Sequence, residues 1–330
     1  MKLSRLGEFG LIASIQRRTP KGRGVKIGIG DDAASVANCR AASLVTADLL
    51  LEGRHFDLRW MPFEDLGYKA LAVNLSDIAA MGGIADYAIL SLGIPPRLDS
   101  REIDAFYRGF QGLADECAVA LIGGDTNAAD QLIVSVCVIG HAAARPVRRS
   151  GARPGDDIYV TGTLGDSALG LKFLKRRARS ERPRLHPRAL IRRHRRPTPR
   201  LAAGALLAQN GLATAMIDVS DGLVQDLGHI CQASGVGATI EADRLPLSAA
   251  YRALCAKDGI APALSGGEDY ELLFCARRKD RGRVEKLPGR AGVAVTRIGV
   301  CTAAHRKVAI LDASGKALKI RAPGHDHFRR

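Results

Sequence analysis

The sequence predicts an α/β or α+β fold in two domains, and three observations carry that expectation. Short β-branched runs alternate with longer helical patterns in both halves of the chain. The connector ARPVRRSGARPGDDIYVTG, with two prolines and several glycines, interrupts the pattern near residue 150. A chain of 330 residues is too long for a minimal domain and comfortable for two. The boundary is placed so that the domains are 1–147 and 148–330.

Taken in order, SLVTADLLL and DYAILSLGI read as strands. Between them PFEDLGYKALAVNLSDIAAMG reads as a helix that Pro62 and two acids open and Gly82-Gly83 stop. DSREIDAFYRGFQGLADEC is a second helix, capped by Asp99 or Ser100. VALIGG and LIVSVCVIGHA are strands again. Past the connector come strand DIYVTG, helix GDSALGLKFLKRR, strand TAMIDVS, helix GLVQDLGHICQASG, strand GATIEAD, helix SAAYRALCAKDG, strand DYELLFCA and a terminal α/β stretch. No repeat of 20–50 residues and no low-complexity tail is visible.

An apolar fraction of 46% with 25% charged residues is that of a soluble globular protein. No apolar run approaches the roughly 20 residues of a membrane-spanning helix. The start MKLSRLGEFGLIASIQ contains Glu8 and only short apolar stretches, so it does not read as a secretory signal. Seven scattered cysteines with no C-x-x-C pair argue against a zinc site or disulfide framework and for reduced thiols in a cytoplasm.

The formal net charge of +15 is local. Between Lys172 and Arg200 there are 13 Lys/Arg against the single acid Glu181, which leaves the other 301 residues near +3. The plain reading of this segment is a solvated helix-and-loop face; docking to an anionic polymer is the alternative. One aromatic, Phe173, and no recognisable reading module weaken that alternative.

Acids stand at the edges of apolar runs: Asp31 and Asp32 in KIGIGDDAASV, Asp48, Asp77, Asp125, and the pair Asp218 and Asp221 in AMIDVSDGL. Singly, each could serve a turn or a helix cap. As a set flanked by Gly and Ser/Thr they suit a hard divalent cation held by oxygen. A bare carboxylate about 4 Å from a phosphate charge is repelled by roughly 4 kcal/mol at an effective dielectric near 20. The acids therefore imply metal, or they imply no phosphate. The glycines of GIGDD, MGG, IGGDT and SGGEDYE offer backbone N–H groups that can approach phosphate closely. No Walker sequence, no protein-kinase motif set and no complete dinucleotide fingerprint occurs.

GEFGLI, IGIGDDAA, TADLLLEGRHF, YKALAVNLSDIAAMGG, LIGGDT, RSGARPGDDIYVTGTLGDSALGL, IDVSDGL, LSGGEDYEL and HDHF follow in unbroken order from Gly7 to Phe328. In them the chain resembles the thiamine-monophosphate kinase family, within the wider aminoimidazole-ribonucleotide (AIR) synthetase-like enzymes. The resemblance implies an AIR-synthetase-like architecture, an N-terminal mixed sheet with helices and a C-terminal α/β domain, working as a homodimer. It implies transfer of the ATP γ-phosphoryl group to thiamine monophosphate, with several Mg²⁺ ions held by Asp32, Thr46, Asp48, Asp77, Asp125, Asp218 and Asp221. It places Gly124, Asp125, Arg149 and Ser220 against ATP, and His55, Glu268 and His325 around the thiamine substrate. Position 325 is usually aromatic in that family; an imidazole can still stack on a ring but offers less area. No membrane and no nucleic acid are implied as partners.

The acceptor in this reading is itself a phosphate, mostly dianionic at neutral pH because its second pKa is near 6, so no general base is required. The task is to bring two polyanions together, which bridging metal ions accomplish. The rivals are another ATP-using relative, of purine synthesis or of a maturation type, and a nucleic-acid-binding protein acting through residues 172–200.

Overall fold

A computed structural model describes residues 25–27, 34–37, 42–178, 187–255 and 259–318. The first half forms a six-stranded sheet of β1 (Val25–Ile27), β2 (Ala34–Ala37), β3 (Ala42–Leu51), β4 (Gly83–Ile94), β5 (Ala120–Ala128) and β6 (Ile133–Ala142). Their order is β1-β2-β3-β6-β4-β5, antiparallel except for the parallel pair β4–β5. Two helices cover one face, α1 (Phe63–Ala80) and α2 (Ser100–Glu116). The second closes the crossover that a parallel pair requires. It starts on a capping box in which Asp99 Oδ1 accepts from the N–H groups of Arg101 and Glu102 while Glu102 accepts from that of Asp99.

The second half forms another sheet, of β7 (Asp157–Thr161), β8 (Ala213–Asp218), β9 (Gly237–Glu241), β10 (Leu272–Ala276), β11 (Val295–Thr302) and β12 (Val308–Leu311), in the order β12-β9-β11-β7-β10-β8. Its central strands β7 and β10 are buried along their whole length, because both faces are covered. One face carries α3 (Asp166–Ala178), α6 (Leu223–Ser234), α7 (Ala249–Leu254) and α8 (Ala261–Ser265) around Ile158, Ile217, Leu273 and Ile298. Against the other face, around Tyr159, Met216 and Phe274, lie α5 (Leu201–Gln209), α9 (Arg281–Val284) and the last turn of α1. The two-domain fold and the mixed sheets agree with the sequence reading. Two differences stand out. SAAYRALCAKDG is helical only to Leu254, with Cys255 as its C-cap. The segment LAAGALLAQ, apolar but for Gln209, is a helix that buries Ala203, Gly204, Leu207 and Ala208 and that amphipathic patterning does not reveal.

α1 is enclosed from both sides, packing on the N-terminal sheet and on α5 and β8 of the second half. The closeness of α5 depends on Gly204: a Cβ there would stand 2.1 Å from the Ala79 carbonyl oxygen. Among the described residues no helix lies on the opposite face of the N-terminal sheet, where Leu49, Ile84, Tyr87 and Ile122 are 41–55% exposed.

Replacing Gly204 by alanine is expected to push α5 off α1 and to cost about 1–3 kcal/mol. Gly112, on the exposed side of α2 with open space around it, is the control: alanine there should add about 0.5–1 kcal/mol. Urea titrations of the two variants measure both signs.

Candidate active site at the junction of the two halves

The candidate residues converge where α1 meets β3 and the loop after β8. α1 carries Asn74, Ser76 and Asp77 in one turn. Asn74 Oδ1 accepts from the Asp48 N–H at 3.0 Å, and Asp77 Oδ2 accepts from the Thr46 hydroxyl at 2.6 Å, so the helix grips β3 at both positions. Ser76 reaches the other half and donates to Asp218 Oδ2 at 2.6 Å. Both Ser76 and Asp218 are buried.

The DVSDG and SGGEDYE segments then run side by side. Val219 donates to Glu271 O at 2.8 Å, Tyr270 to Val219 O at 2.9 Å and Glu268 to Ser220 O at 2.7 Å, extending the β8–β10 ladder past the ends of its strands. Beyond Ser220, Asp226 Oδ2 accepts from the N–H groups of Asp221 and Gly222 and so fixes the entry to α6, while Gln225 donates to Asp221 Oδ2 at 3.0 Å. Burial raises the Asp226 carboxyl well above the usual carboxylate range, and the charges of Asp221 and Asp218 add to that against the two N–H donors. Tyr270 is likewise raised, by burial first and then by Glu268, Asp48, Asp218 and Asp77. Those four carboxylates, drawn from β3, α1, β8 and the SGGEDYE loop, thus share one locality.

Each acid of SGGEDYE points a different way. Glu268 lies 2.8 Å from Lys69 Nζ and 3.2 Å from His194 Nδ1. Asp269 accepts from Gly165 N at 2.6 Å and Ser167 N at 3.3 Å, at the start of α3; burial nevertheless raises it to about 8. Glu271, fully buried, takes Arg193, Arg200 and the Thr161 hydroxyl. Arg193, His194, Arg195 and Arg196 belong to α4 (Arg188–Arg195) and its C-cap. Arg196 pairs with Glu64 and Asp65 and stacks 5.3 Å over Tyr68, and Arg195 donates to Trp60 O. Arg195 and Arg196 therefore clamp the halves together and Arg193 and Arg200 pair with Glu271, while Lys175, Arg176, Arg188 and Arg192 are exposed as the composition implies. Its residues 179–186 lie outside the described residues.

The AIR synthase related protein N-terminal domain matches residues 30–142 and the corresponding C-terminal domain residues 153–312. Thiamine-monophosphate kinase of Salmonella typhimurium is 43% identical over 98% of each chain, and that of Bacillus subtilis 37% identical over 98% of this chain and all of its own. The chain belongs to the thiamine-monophosphate kinase family. The solved structure of AaThiL complexed with AMPPCP and TMP superimposes with a TM-score of 0.85 at 36% identity over 99% of both chains.

The positions singled out by likeness to this family divide in the structure. Thr46, Asp48, Asp77, Asp218, Ser220, Asp221 and Glu268 gather at the junction. His55 sits on the loop leaving β3, where its Nδ1 accepts from the Leu51 N–H at 3.0 Å; a neutral ring so placed carries its proton on Nε2. Gly124 and Asp125 lie on the exposed edge strand β5, in register with Leu90 and Ser91. Three strand spacings, about 14 Å, separate that strand from β3. Gly124 approaches β4 so closely that a Cβ would stand 1.7 Å from Leu90 O. The Arg149 carbonyl accepts from Ser234 at the C-terminal end of α6, about 18 Å of helix away from Asp221. Asp32 and His325 lie outside the described residues. Lys69, Asn74, Ser76, His194, Asp226 and Tyr270 escaped the sequence reading. The one available signal was the density of polar residues in a helix otherwise apolar on every side.

Burial and the Lys69 ammonium hold the His194 imidazole below its ordinary 6.5, against the pull of Glu268. A group depressed on folding contributes stability that is complete above the unfolded value and is lost as pH falls below it. The His194 contribution to urea stability should therefore fall from pH 7.5 to pH 5, opposite in sign to that of the raised Asp269, and comparing wild type with His194→Asn isolates it.

Proposed function

We propose that the chain transfers the γ-phosphoryl group of ATP to the phosphate of thiamine monophosphate, giving thiamine diphosphate and ADP, in the cytoplasm and as a homodimer. The observation that carries this reading is the convergence of Thr46, Asp48, Asp77 and Asp218 from both halves on one site, in a chain that aligns end to end with thiamine-monophosphate kinases. The relative solved with AMPPCP and TMP supports a nucleotide and a second ligand on this fold.

The donors fit Mg²⁺, which takes hard oxygen ligands and usually one or two carboxylates together with phosphate oxygens. Thr46, Asp48, Asp77, Asp218 and Asp221 would hold several such ions, with Asp32 and Asp125 completing the set. The chemistry such an ion would supply there is neutralisation of facing phosphate oxygens, which would allow an in-line displacement. The chain's own task is to keep its acids oriented. Ser76 fixes the Asp218 carboxylate, Thr46 that of Asp77, and Asp226 the backbone that carries Asp221. His55 presents Nε2–H as a donor, and Glu268 an acceptor for a cationic or amino-bearing ring. The acceptor phosphate needs no base.

The homodimer has its own support. The face of the N-terminal sheet that no described helix covers displays four large apolar side chains, Leu49, Ile84, Tyr87 and Ile122, which a second copy would bury. Ser91, the register partner of Asp125, follows the buried Leu90 and precedes the buried Leu92, so Asp125 turns toward that open face. Asp48 and Thr46 lie on the helix-covered face with Leu44 and Leu50. In this reading Asp125 serves the partner's site.

An ATP-consumption assay comparing thiamine monophosphate, thiamine and aminoimidazole precursors tests the reaction; turnover with a precursor alone would favour a purine-type relative. Asp218→Asn should leave the protein folded and lower the rate at least about 100-fold, a few kcal/mol of barrier. Near-normal activity in millimolar Mg²⁺ would contradict the assigned role. Mixing Asp125→Asn with Asp218→Asn protein should restore about a quarter of the wild-type activity on random subunit exchange, since one site of each mixed dimer is intact. No recovery would place Asp125 in its own protomer's site.

A further inference from the structure

Lys69 is the only lysine in α1 and is 1% exposed, an unusual place for an ammonium. His194, 2% exposed, comes from α4 in the other half. The two meet on one carboxylate: Nζ of Lys69 lies 2.8 Å from Glu268 Oε1, and Nδ1 of His194 lies 3.2 Å from Glu268 Oε2 and 3.1 Å from the Ser167 hydroxyl. An ionised carboxylate only accepts, so the imidazole must carry a proton on Nδ1. Burial works to raise the Glu268 pKa, but the neighbouring Lys69 and His194 outweigh it and hold the group well below the usual range. The Glu268 side chain itself remains 28% exposed, so its two partners do not close it over completely.

Removing a cation and its carboxylate partner from water is expensive, and a buried pair is weak as a source of stability. A carboxylate needed only to bridge the halves would gain by being closed over. This one is held at one oxygen by the ion pair with Lys69 and at the other by His194, and stays partly exposed, beside Ser220 and within the carboxylate cluster around Tyr270. With Lys69 charged and His194 neutral, the three groups sum to zero, so recognition there rests on the direction of the remaining lone pairs.

We infer that Lys69 and His194 are positioning residues that orient the Glu268 carboxylate toward the amino-bearing heterocyclic end of the acceptor substrate. The inference rests on the reading of Glu268 as a substrate contact given above. Neither residue touches phosphate in this arrangement, so the nucleotide should be indifferent to them.

Steady-state kinetics with thiamine monophosphate and ATP test this on Glu268→Gln, Lys69→Met, His194→Leu, His194→Asn and the Lys69→Met/Glu268→Gln double variant. Losing one donor to a charged group should raise KM for thiamine monophosphate about 10-fold or more while KM for ATP stays within about 2-fold. His194→Asn, whose amide can donate from nearly the Nδ1 position, should recover most of the loss seen in His194→Leu. The double variant should be no worse than Glu268→Gln alone, because Lys69 acts through Glu268. If Lys69→Met does not fold, the Leu and Asn pair at position 194 decides. A KM effect from Glu268→Gln with none from Lys69→Met and His194→Leu, or equal effects on both substrates, overturns the inference and leaves the reaction standing. An unchanged KM in Glu268→Gln, or no turnover of thiamine monophosphate by the wild-type chain, removes the reading beneath it as well.

Discussion

A single helix has to be buried against two sheets while carrying a lysine, an asparagine, a serine and an aspartate within nine residues. That demand on α1 organises the rest. Each of these groups would cost of order 1–3 kcal/mol if buried without a partner. Every one is met by an element from elsewhere in the chain: Asn74 by β3, Asp77 by Thr46, Ser76 by Asp218 and Lys69 by Glu268. Two of the partners belong to the first half and two to the second. The polar residues of α1 therefore fix the register of β3 and the orientation of the two halves together. The site is formed at that joint because the joint is where the buried polar groups need partners.

The arginines of α4 and its flank complete the same joint from outside. Glu271 has no exposure, and two guanidinium groups with a threonine hydroxyl satisfy it. Arg196 ties the first turn of α1 through Glu64 and Asp65, where acids already favour the helix N-terminus. A planar guanidinium fits such bidentate and stacked contacts in a way that lysine does not. Four arginines of the stretch, Arg193, Arg195, Arg196 and Arg200, thus have their charge paired inside the joint.

Much of the framework was legible from residue order. β3, β4, β6, β7 and β8 announce themselves by β-branched residues, β10 by a short apolar run, and α2 by Asp99 and Glu102 at capping-box spacing. The acids that gather at the junction were legible too, since Gly and Ser/Thr beside an apolar run mark a strand end that can present a side chain. What stayed hidden depends on contacts distant in sequence. Lys69 in a helix normally snorkels to solvent, and only the arrival of α4 and the SGGEDYE loop makes it internal. His194 sits among arginines and is indistinguishable from a surface residue until α4 docks. Asp125 and Arg149 show the opposite limit: their motifs are clear, yet β5 and the end of α6 carry them away from Asp218 within one chain.

The SGGEDYE loop resolves a conflict between its sequence and its backbone. Glu268 and Tyr270 both take left-handed conformations, with φ of 66° and 51°, which cost non-glycine residues of order 1–3 kcal/mol each. Glycine at these positions would relieve that strain but would delete the side chains the loop exists to place. The alternating backbone sends Glu268 to α1 and α4, Asp269 to the start of α3, and Glu271 to Thr161 and the two arginines, three directions from four residues. An extended strand sends neighbours to only two faces, and a helix turns them by fixed steps. The strain is held because the ladder to Val219 and Ser220 fixes the backbone while the three carboxylates are each anchored by donors. Relaxing the loop would break all of these contacts together, so the conformation persists as a unit and keeps the Glu268 carboxylate facing the junction.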